Sequence, residues 1–220
     1  MTLCFDPDEA VARLRRRDRR LARIIDRAGP FTLQPARMVS PYASLLRAIV
    51  GQQLSGKAAE TIFGRVAALH PDRKRLSPEA LRSIPDEALR GAGLSRNKLL
   101  ALRDLADKTL DGTVPTMRKL RAMDDAAIVE RLTAVRGIGV WTVEMMLMFK
   151  LGRPDVLPID DLGVRQGFMH TYGLDAMPKP REVVERAEPW RPFRSVGSWY
   201  MWRAVELQRA ARREGAGKRG

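Results

Sequence analysis

Two stretches hold residues whose types and spacing could do chemistry. In "VRGIGVWTVEMMLMF", residues 135–149, Gly137 and Gly139 flank Ile138 and an apolar run follows at once. A helix that breaks at Gly-Ile-Gly and restarts at Val140 leaves unpaired N–H groups at its N-terminus, and such a terminus binds phosphate. Gly137 and Gly139 are expected to adopt backbone angles closed to other residues and to let another backbone approach closely. The same pattern also serves as a plain helix–helix turn with a glycine cap. It is not the dinucleotide-binding fingerprint, because Thr142 holds the last glycine position and no strand precedes it. The second stretch is "VLPIDDLGVRQGF", which places Asp161 22 positions beyond Gly139 (161 − 139). Paired aspartates at the start of a helix often act only as a cap and dipole partner, so Asp160 and Asp161 need further support before either is given a reaction.

The elements that must position these groups are helical throughout. A helix from Val140 to about Gly152 carries the chain about 15–20 Å outward, and the loop "RPDVLP" can return it. Before it, "SPYASLLRAIVGQQLSG" sets Tyr42, Leu45, Leu46, Ile49 and Val50 at helical spacing behind a Ser40 cap. "GKAAETIFGRVAALH", "SPEALRSI", "PDEALRGAG", "SRNKLLALRDLADKTLDG" and "DDAAIVERLTAV" follow, the last with Ile128, Leu132 and Val135 on one face. After it come "DDLGVRQGFMHTYG", "KPREVVERA" and "SVGSWYMWRAVELQRAARRE". Alternating strand pattern is confined to a weak "FTLQ" near Phe31, and the tail 211–220 is expected to be disordered. The fold expected is all-α, in two helical lobes with a cleft between them and the hairpin at the cleft. Lobe A spans about 56–160; lobe B combines about 1–55 with 161–210.

Composition narrows the partner. Forty Lys and Arg against 26 acids give a net charge of +14, which favours a polyanion, nucleic acid before membrane surface. The lone Cys4 makes no intrachain disulfide, zinc site or iron–sulfur cluster, and His70 and His170 are too isolated for a metal site and are expected to be structural or surface residues. The N-terminus lacks a signal core and no run of about 18 apolar residues exists, so a cytoplasmic, non-membrane protein is expected, nucleoid-associated if bacterial.

"LTAVRGIGVWTVEMM" followed by "PIDDLGVRQG" resembles the helix-hairpin-helix DNA glycosylase superfamily, with its glycine-rich loop and late aspartate. Within it the likeness is to 3-methyladenine DNA glycosylase II in its compact form. "LLRAIVGQQLSGKAAETI" is similar to the family's DNA-probing loop, "LSRNKLLALRDLA" to its middle helix, and "WRPFRSVGSWYMWRA" to its C-terminal segment, so the resemblance covers about residues 40–205.

The resemblance implies hydrolysis of the N-glycosidic bond of an alkylated base in double-stranded DNA, leaving an abasic site. The base is flipped into a pocket. Because alkylated purines such as 3-methyladenine carry positive charge, they leave readily, and one carboxylate beside C1′ suffices to stabilise an oxocarbenium-like transition state or activate water. The family pattern gives that role to Asp161 and leaves Asp160 as a cap. Trp141 and Trp202 match base-pocket positions, where an aromatic face suits a flat cation; Trp199 is expected in the core. Gln53 and Leu54 occupy the loop that fills the gap left by the flipped base, with either able to intercalate. Arg136, Gly137, Ile138, Gly139 and Thr142 belong to the DNA-binding hairpin, whose backbone carbonyls at Thr133, Val135 and Ile138 would hold a Na+ or K+ ion beside a phosphate. No other cofactor and a monomeric state are expected. Two alternatives stand beside this one: a bifunctional glycosylase/lyase for oxidised or mismatched bases, disfavoured by Trp141 where such relatives carry lysine, and a non-catalytic helix-hairpin-helix DNA-binding protein.

Overall fold

Polar caps decide where most of the helices begin. The computed structural model describes residues 3–71 and 76–217. In it Asp6, Asp18, Ser40, Ser55, Ser77, Ser95, Thr116, Asp124 and Asp161 each accept a backbone N–H from the turn that follows. The helices are α1 (Pro7–Arg17), α2 (Arg19–Ala28), α3 (Pro41–Gly51), α4 (Gly56–Ala68), α5 (Pro78–Ser83), α6 (Asp86–Gly91) and α7 (Arg96–Leu110). They continue with α8 (Met117–Ala122), α9 (Asp125–Thr133), α10 (Val140–Met146), α11 (Leu162–Tyr172), α12 (Pro180–Ala187) and α13 (Arg194–Gly217). No strand occurs among the described residues, and "FTLQ" lies in irregular backbone. No helix there is long and apolar enough to cross a membrane.

Three helices go beyond the sequence pattern: α1, α2 and α8. Each starts at a good cap, but their apolar stripes are short. Only Ala10 and Leu14 are buried in α1, and only Leu120 in α8. The helix from Val140 also differs from the expected run to Gly152. It is α-helical to Met146, then widens to a π-helical turn at Leu147–Leu151 that Gly152 closes in the left-handed region at φ 65°. The loosened carbonyls find partners: Ala36 N–H donates to the Phe149 oxygen at 2.8 Å, and the Cys4 amide to the Gly152 oxygen at 3.4 Å. The tail differs too, because α13 continues through residue 217, carried by Ala210, Ala211, Arg212, Arg213 and Glu214, all good helix formers, before the glycines at 215 and 217; residues 218–220 lie outside the described ones.

The chain divides into two compact units, Met38–Val143 and Met1–Arg37 with Glu144–Gly220. These boundaries correct the expected lobes at 56 and 160. Residues 38–55 belong to the middle unit because the apolar face of α3, with Leu45, Leu46, Ile49 and Val50 all buried, packs against α4 and α7. Residues 144–160 belong to the other unit, where Leu157 enters the core and Phe149 packs against it.

In the middle unit α7 is the central element, packed by α3, α5 and α6 around Leu99, Leu102, Leu105 and Ala106. Ile128, Leu132 and Val135 are buried together, as their spacing predicts. In the other unit the core is aromatic. Trp190 is fully buried and stacks on Phe168 at 4.9 Å, while its indole N–H donates to the Asp18 carboxylate at 2.9 Å. That carboxylate also caps α2 and accepts from the Tyr172 hydroxyl, so one acid fixes three elements. Helices α11 and α13 pack closely, with Gly167 at the crossing: a Cβ there would sit 2.3 Å from the Met201 carbonyl oxygen, and backbone cannot yield.

Candidate functional site

The acid picked out by the sequence sits where two elements of one unit meet. Asp161 is the N-cap of α11, and its Oδ1 accepts the Val164 N–H at 2.8 Å. The same oxygen accepts the Trp202 indole N–H, also at 2.8 Å, from α13. The cap therefore falls on Asp161 and not on Asp160, which is exposed. Capping fixes the carboxyl group's orientation without removing its charge, so the cap and a catalytic role are compatible in one residue.

Close approach makes this pairing possible. A Cβ at Gly163 would lie 2.7 Å from Trp202 Cδ1 and 3.1 Å from Asp161 Oδ1, so glycine is needed beneath the indole–carboxylate contact. Phe149, from the π-helical turn, stacks on Trp202 with centroids 5.5 Å apart and planes 26° apart. Trp202 and Phe149, with Gly163, Trp199 and Arg203, line a hollow of about 280 Å³. Trp199 is 8% exposed and makes an edge contact with Phe31 at 5.1 Å, in the core as expected.

Sequence reasoning passed over Glu144. It lies in α10, half-buried, and its carboxyl group is pushed up to about 7, first by burial and then by the charges of Asp160 and Asp161. In "WTVEMM" it reads as one solvated acid in an apolar run, and no local pattern marks the two aspartates beside it. A folded state that holds this proton more tightly than the unfolded chain gains stability that is complete at pH values below the ordinary carboxylate range. That gain is lost as pH rises through about 7. Glu144→Gln should therefore melt increasingly above the parent protein as pH goes from about 5 to 8. A melting-temperature difference that stays flat across that window would exclude burial as the cause.

The hairpin belongs to the middle unit. Gly137 has φ 79°, as a turn glycine requires, but Gly139 does not share it: its φ lies outside the left-handed region and open space surrounds a Cβ built there. Its glycine identity serves outward access and not backbone angle, which corrects the paired expectation. Ile138 is buried and donates its N–H to the Val135 oxygen at 3.0 Å, while Gly139 O accepts the Thr142 and Val143 amides, starting α10. The Thr133 hydroxyl turns back onto the Val129 oxygen at 2.7 Å. Trp141, in the first turn of α10, is 48% exposed. Asp161 and Trp202 are thus joined within one unit, while Trp141 and the hairpin glycines belong to the other.

Four further side chains in the middle unit fix the hairpin and the end of α3, where the loop to α4 begins. Asp104 accepts the Arg136 backbone N–H at 2.6 Å and pairs with Lys108 at 2.8 Å; Lys108 also donates to the Ala134 oxygen. Gln52 Nε2 donates to the Gly137 oxygen at 2.7 Å, and Lys98 Nζ to the Val50 oxygen at 2.7 Å. In sequence Asp104 and Lys108 are only an acid and a base at i,i+4 on a helix, since partners distant in sequence leave no local signal. Arg136 keeps an exposed side chain while its backbone is held. Between α3 and α4, Gln53 is exposed with φ 59°, a left-handed conformation that favours glycine, and Leu54 is half-buried with its N–H on the Gly51 oxygen at 3.2 Å. Among the described residues no group of three or more His, Cys, Asp or Glu is placed to hold a metal.

Comparison with known proteins identifies the family. The 3-methyladenine DNA glycosylase 1 of Schizosaccharomyces pombe is 38% identical over 167 residues, covering 76% of this chain and 73% of that one. The solved structure of the S. pombe 3-methyladenine DNA glycosylase in complex with abasic DNA superimposes with a TM-score of 0.76 at 34% identity, over 88% of this chain and 95% of that one. The Bacillus halodurans DNA-3-methyladenine glycosidase gives a TM-score of 0.79 at 34% identity, over 93% and 91%. The family model described as HhH-GPD superfamily base excision DNA repair protein matches residues 46–192, which include the probing loop, the hairpin and Asp161. With Asp161 and Trp202 joined at one point and the hairpin braced at another, the chain belongs to the HhH-GPD superfamily of base excision DNA repair proteins.

Proposed function

We propose that the protein is a monofunctional DNA glycosylase, acting as a monomer, that removes alkylated bases of the 3-methyladenine type from duplex DNA. The observation that carries this reading is the Asp161 carboxyl group held in place by α11 and the Trp202 indole at 2.8 Å. A carboxylate fixed before reaction pays no reorganisation when positive charge develops on the deoxyribose, which is the condition for electrostatic stabilisation. The alkylated base is itself cationic and leaves without an added proton. Trp202, backed by Phe149, offers an aromatic face to that flat cation; Trp141, in the middle unit, is by itself an exposed ring able to stack on a base. Gln53, exposed and held in a strained turn, is the residue that enters the duplex, in preference to the half-buried Leu54.

The hairpin grips the backbone without reading sequence. Carbonyl oxygens of Thr133, Val135 and Ile138 are neutral hard donors and suit a Na+ or K+ ion, which would add positive charge beside a phosphate; the Val135 oxygen has one N–H partner at 3.0 Å and a carbonyl accepts two. Since a Cβ at Gly139 meets nothing within 4 Å, Gly139→Val should fold normally and weaken binding to damaged and undamaged duplex alike. Fluorescence anisotropy on both duplexes checks this; a folded variant with the parent's affinity for undamaged DNA excludes the clamp. Mass spectrometry of bases released from methylated DNA tests the whole reading, with free 3-methyladenine as the expected product and intact methylated DNA as the result that refutes it.

A further inference from the structure

A basic hollow in the unit Met1–Arg37 with Glu144–Gly220 is used by nothing described so far. Its volume is about 540 Å³, and Arg19, Arg20, Arg23 and Arg27 of α2 line one side. The other side is the C-terminal end of α11, from His170 to Gly173. No acidic side chain lines it. Arg20 is committed to the scaffold, donating to the Tyr172 oxygen and lying 5.8 Å over the Tyr172 ring. Among the described residues no ion pair ties Arg19, Arg23 or Arg27 to an acid, whereas nearby Asp26 pairs with Arg15 and Asp18 is taken by Tyr172 and Trp190.

Four guanidiniums facing one hollow repel one another unless an anion joins them. Arg19, Arg23 and Arg27 stand at i, i+4 and i+8, one stripe of a helix about 12 Å long. Phosphates on one strand of duplex advance about 3.4 Å along the axis, so the stripe spans about three to four phosphate steps, enough for each of the three guanidiniums to meet its own phosphate. Guanidinium binds phosphate oxygens through paired N–H groups. Distance from the reaction is set by α11, which carries Asp161 at its N-terminus and the hollow at its C-terminus. Its 11 residues separate the two by about 16 Å, or roughly five base pairs.

We propose that the hollow lined by Arg19, Arg23 and Arg27 is a second phosphate-binding surface, which holds the sugar–phosphate backbone of the duplex flanking the lesion. This rests on duplex DNA being the substrate, and the parent protein's affinity for undamaged duplex checks that point separately. It differs from the hairpin in reach: a duplex that stops short of the hollow gains nothing from it.

The test compares the parent with the triple variant Arg19→Gln, Arg23→Gln, Arg27→Gln on two lesion duplexes. One extends about fifteen base pairs to either side of the lesion; the other is loop-closed with about three base pairs on either side, short of the roughly five the geometry requires. On the long duplex the slope of log affinity against log salt should fall by about two to three, at about 0.9 per lost phosphate contact, and on the short one it should not change. The charge-preserving triple Arg→Lys should restore most of the slope, which separates lost charge from lost fold. A control triple with the same charge loss, Arg16→Gln, Arg65→Gln and Arg90→Gln, should change the long-duplex slope much less. An unchanged slope on long duplex, or an equal drop on both duplexes matched by the control, overturns the proposal. Absence of lesion excision by the parent protein, with its duplex binding intact, would instead count against the glycosylase reading and leave this surface untouched.

Discussion

Asp161→Asn should lower excision of alkylated bases by at least about two decades, the scale of losing a preorganised electrostatic stabiliser, while binding to damaged duplex persists. The structure makes this substitution a clean one. Asparagine retains an Oδ1 that can accept both the Val164 N–H and the Trp202 indole N–H, so the cap and the Trp202 contact survive. Only the charge is removed. Asp161→Ala would be a poorer probe, since it also discards the cap, at about 1 kcal/mol of stability. The most labile lesions should lose least, because a base that leaves readily needs little help. Single-turnover release rates, with dissociation constants for the same duplex, measure both halves. A normal rate in the variant would leave Asp161 as a helix cap and nothing more.

The all-α architecture and most of its helices were legible because caps and apolar spacing are local. Ser40 with Pro41, Ser95 with the stripe of α7, and Ile128, Leu132 and Val135 are all written within a few residues of one another. Helices α1 and α2 were not, since their arginine-rich surfaces hide a stripe as short as Leu21, Ile24 and Ile25. The candidate site divides the same way. Asp161 and the hairpin stood out through spacing and resemblance. The Trp202–Asp161 bond joins residues 41 positions apart, Gln52 reaches Gly137 across 85, and Asp104 meets Arg136 across 32. Only tertiary packing creates such pairs. Glu144 shows the same limit in its electrostatics: its raised proton affinity comes from burial and from two acids in another element, and neither can be read from "WTVEM". Gly139 taught the reverse lesson, because a glycine chosen for open space looks in sequence just like one chosen for its backbone angle.

No strand cleavage should accompany base removal, and borohydride should trap no enzyme–DNA adduct. A lyase requires an amine that attacks C1′ and forms a Schiff base with the sugar. The position two residues after the second hairpin glycine, where an attacking lysine would stand, is Trp141, which stacks but cannot attack. Under the proposed reading water is then the nucleophile, and Asp161 is the carboxylate assigned to stand beside the sugar. The next lysine along the chain is Lys150, nine residues past Trp141 and about 13 Å further along the axis. It lies in the π-helical turn. Two lysines of α7, Lys98 and Lys108, are both engaged. Lys108 is paired with Asp104 and bonded to the Ala134 oxygen, which ties its amine to the end of α9. Lys98 donates to the Val50 oxygen, closing the end of α3. The expected outcome is abasic product that breaks only after added base or heat, read on a denaturing gel, with a parallel borohydride lane free of any slower-migrating adduct. A trapped adduct would overturn the monofunctional reading. Lys98→Gln would then be the first variant to make, because desolvation lowers the basicity of that amine and makes it the readiest of these lysines to act as a nucleophile.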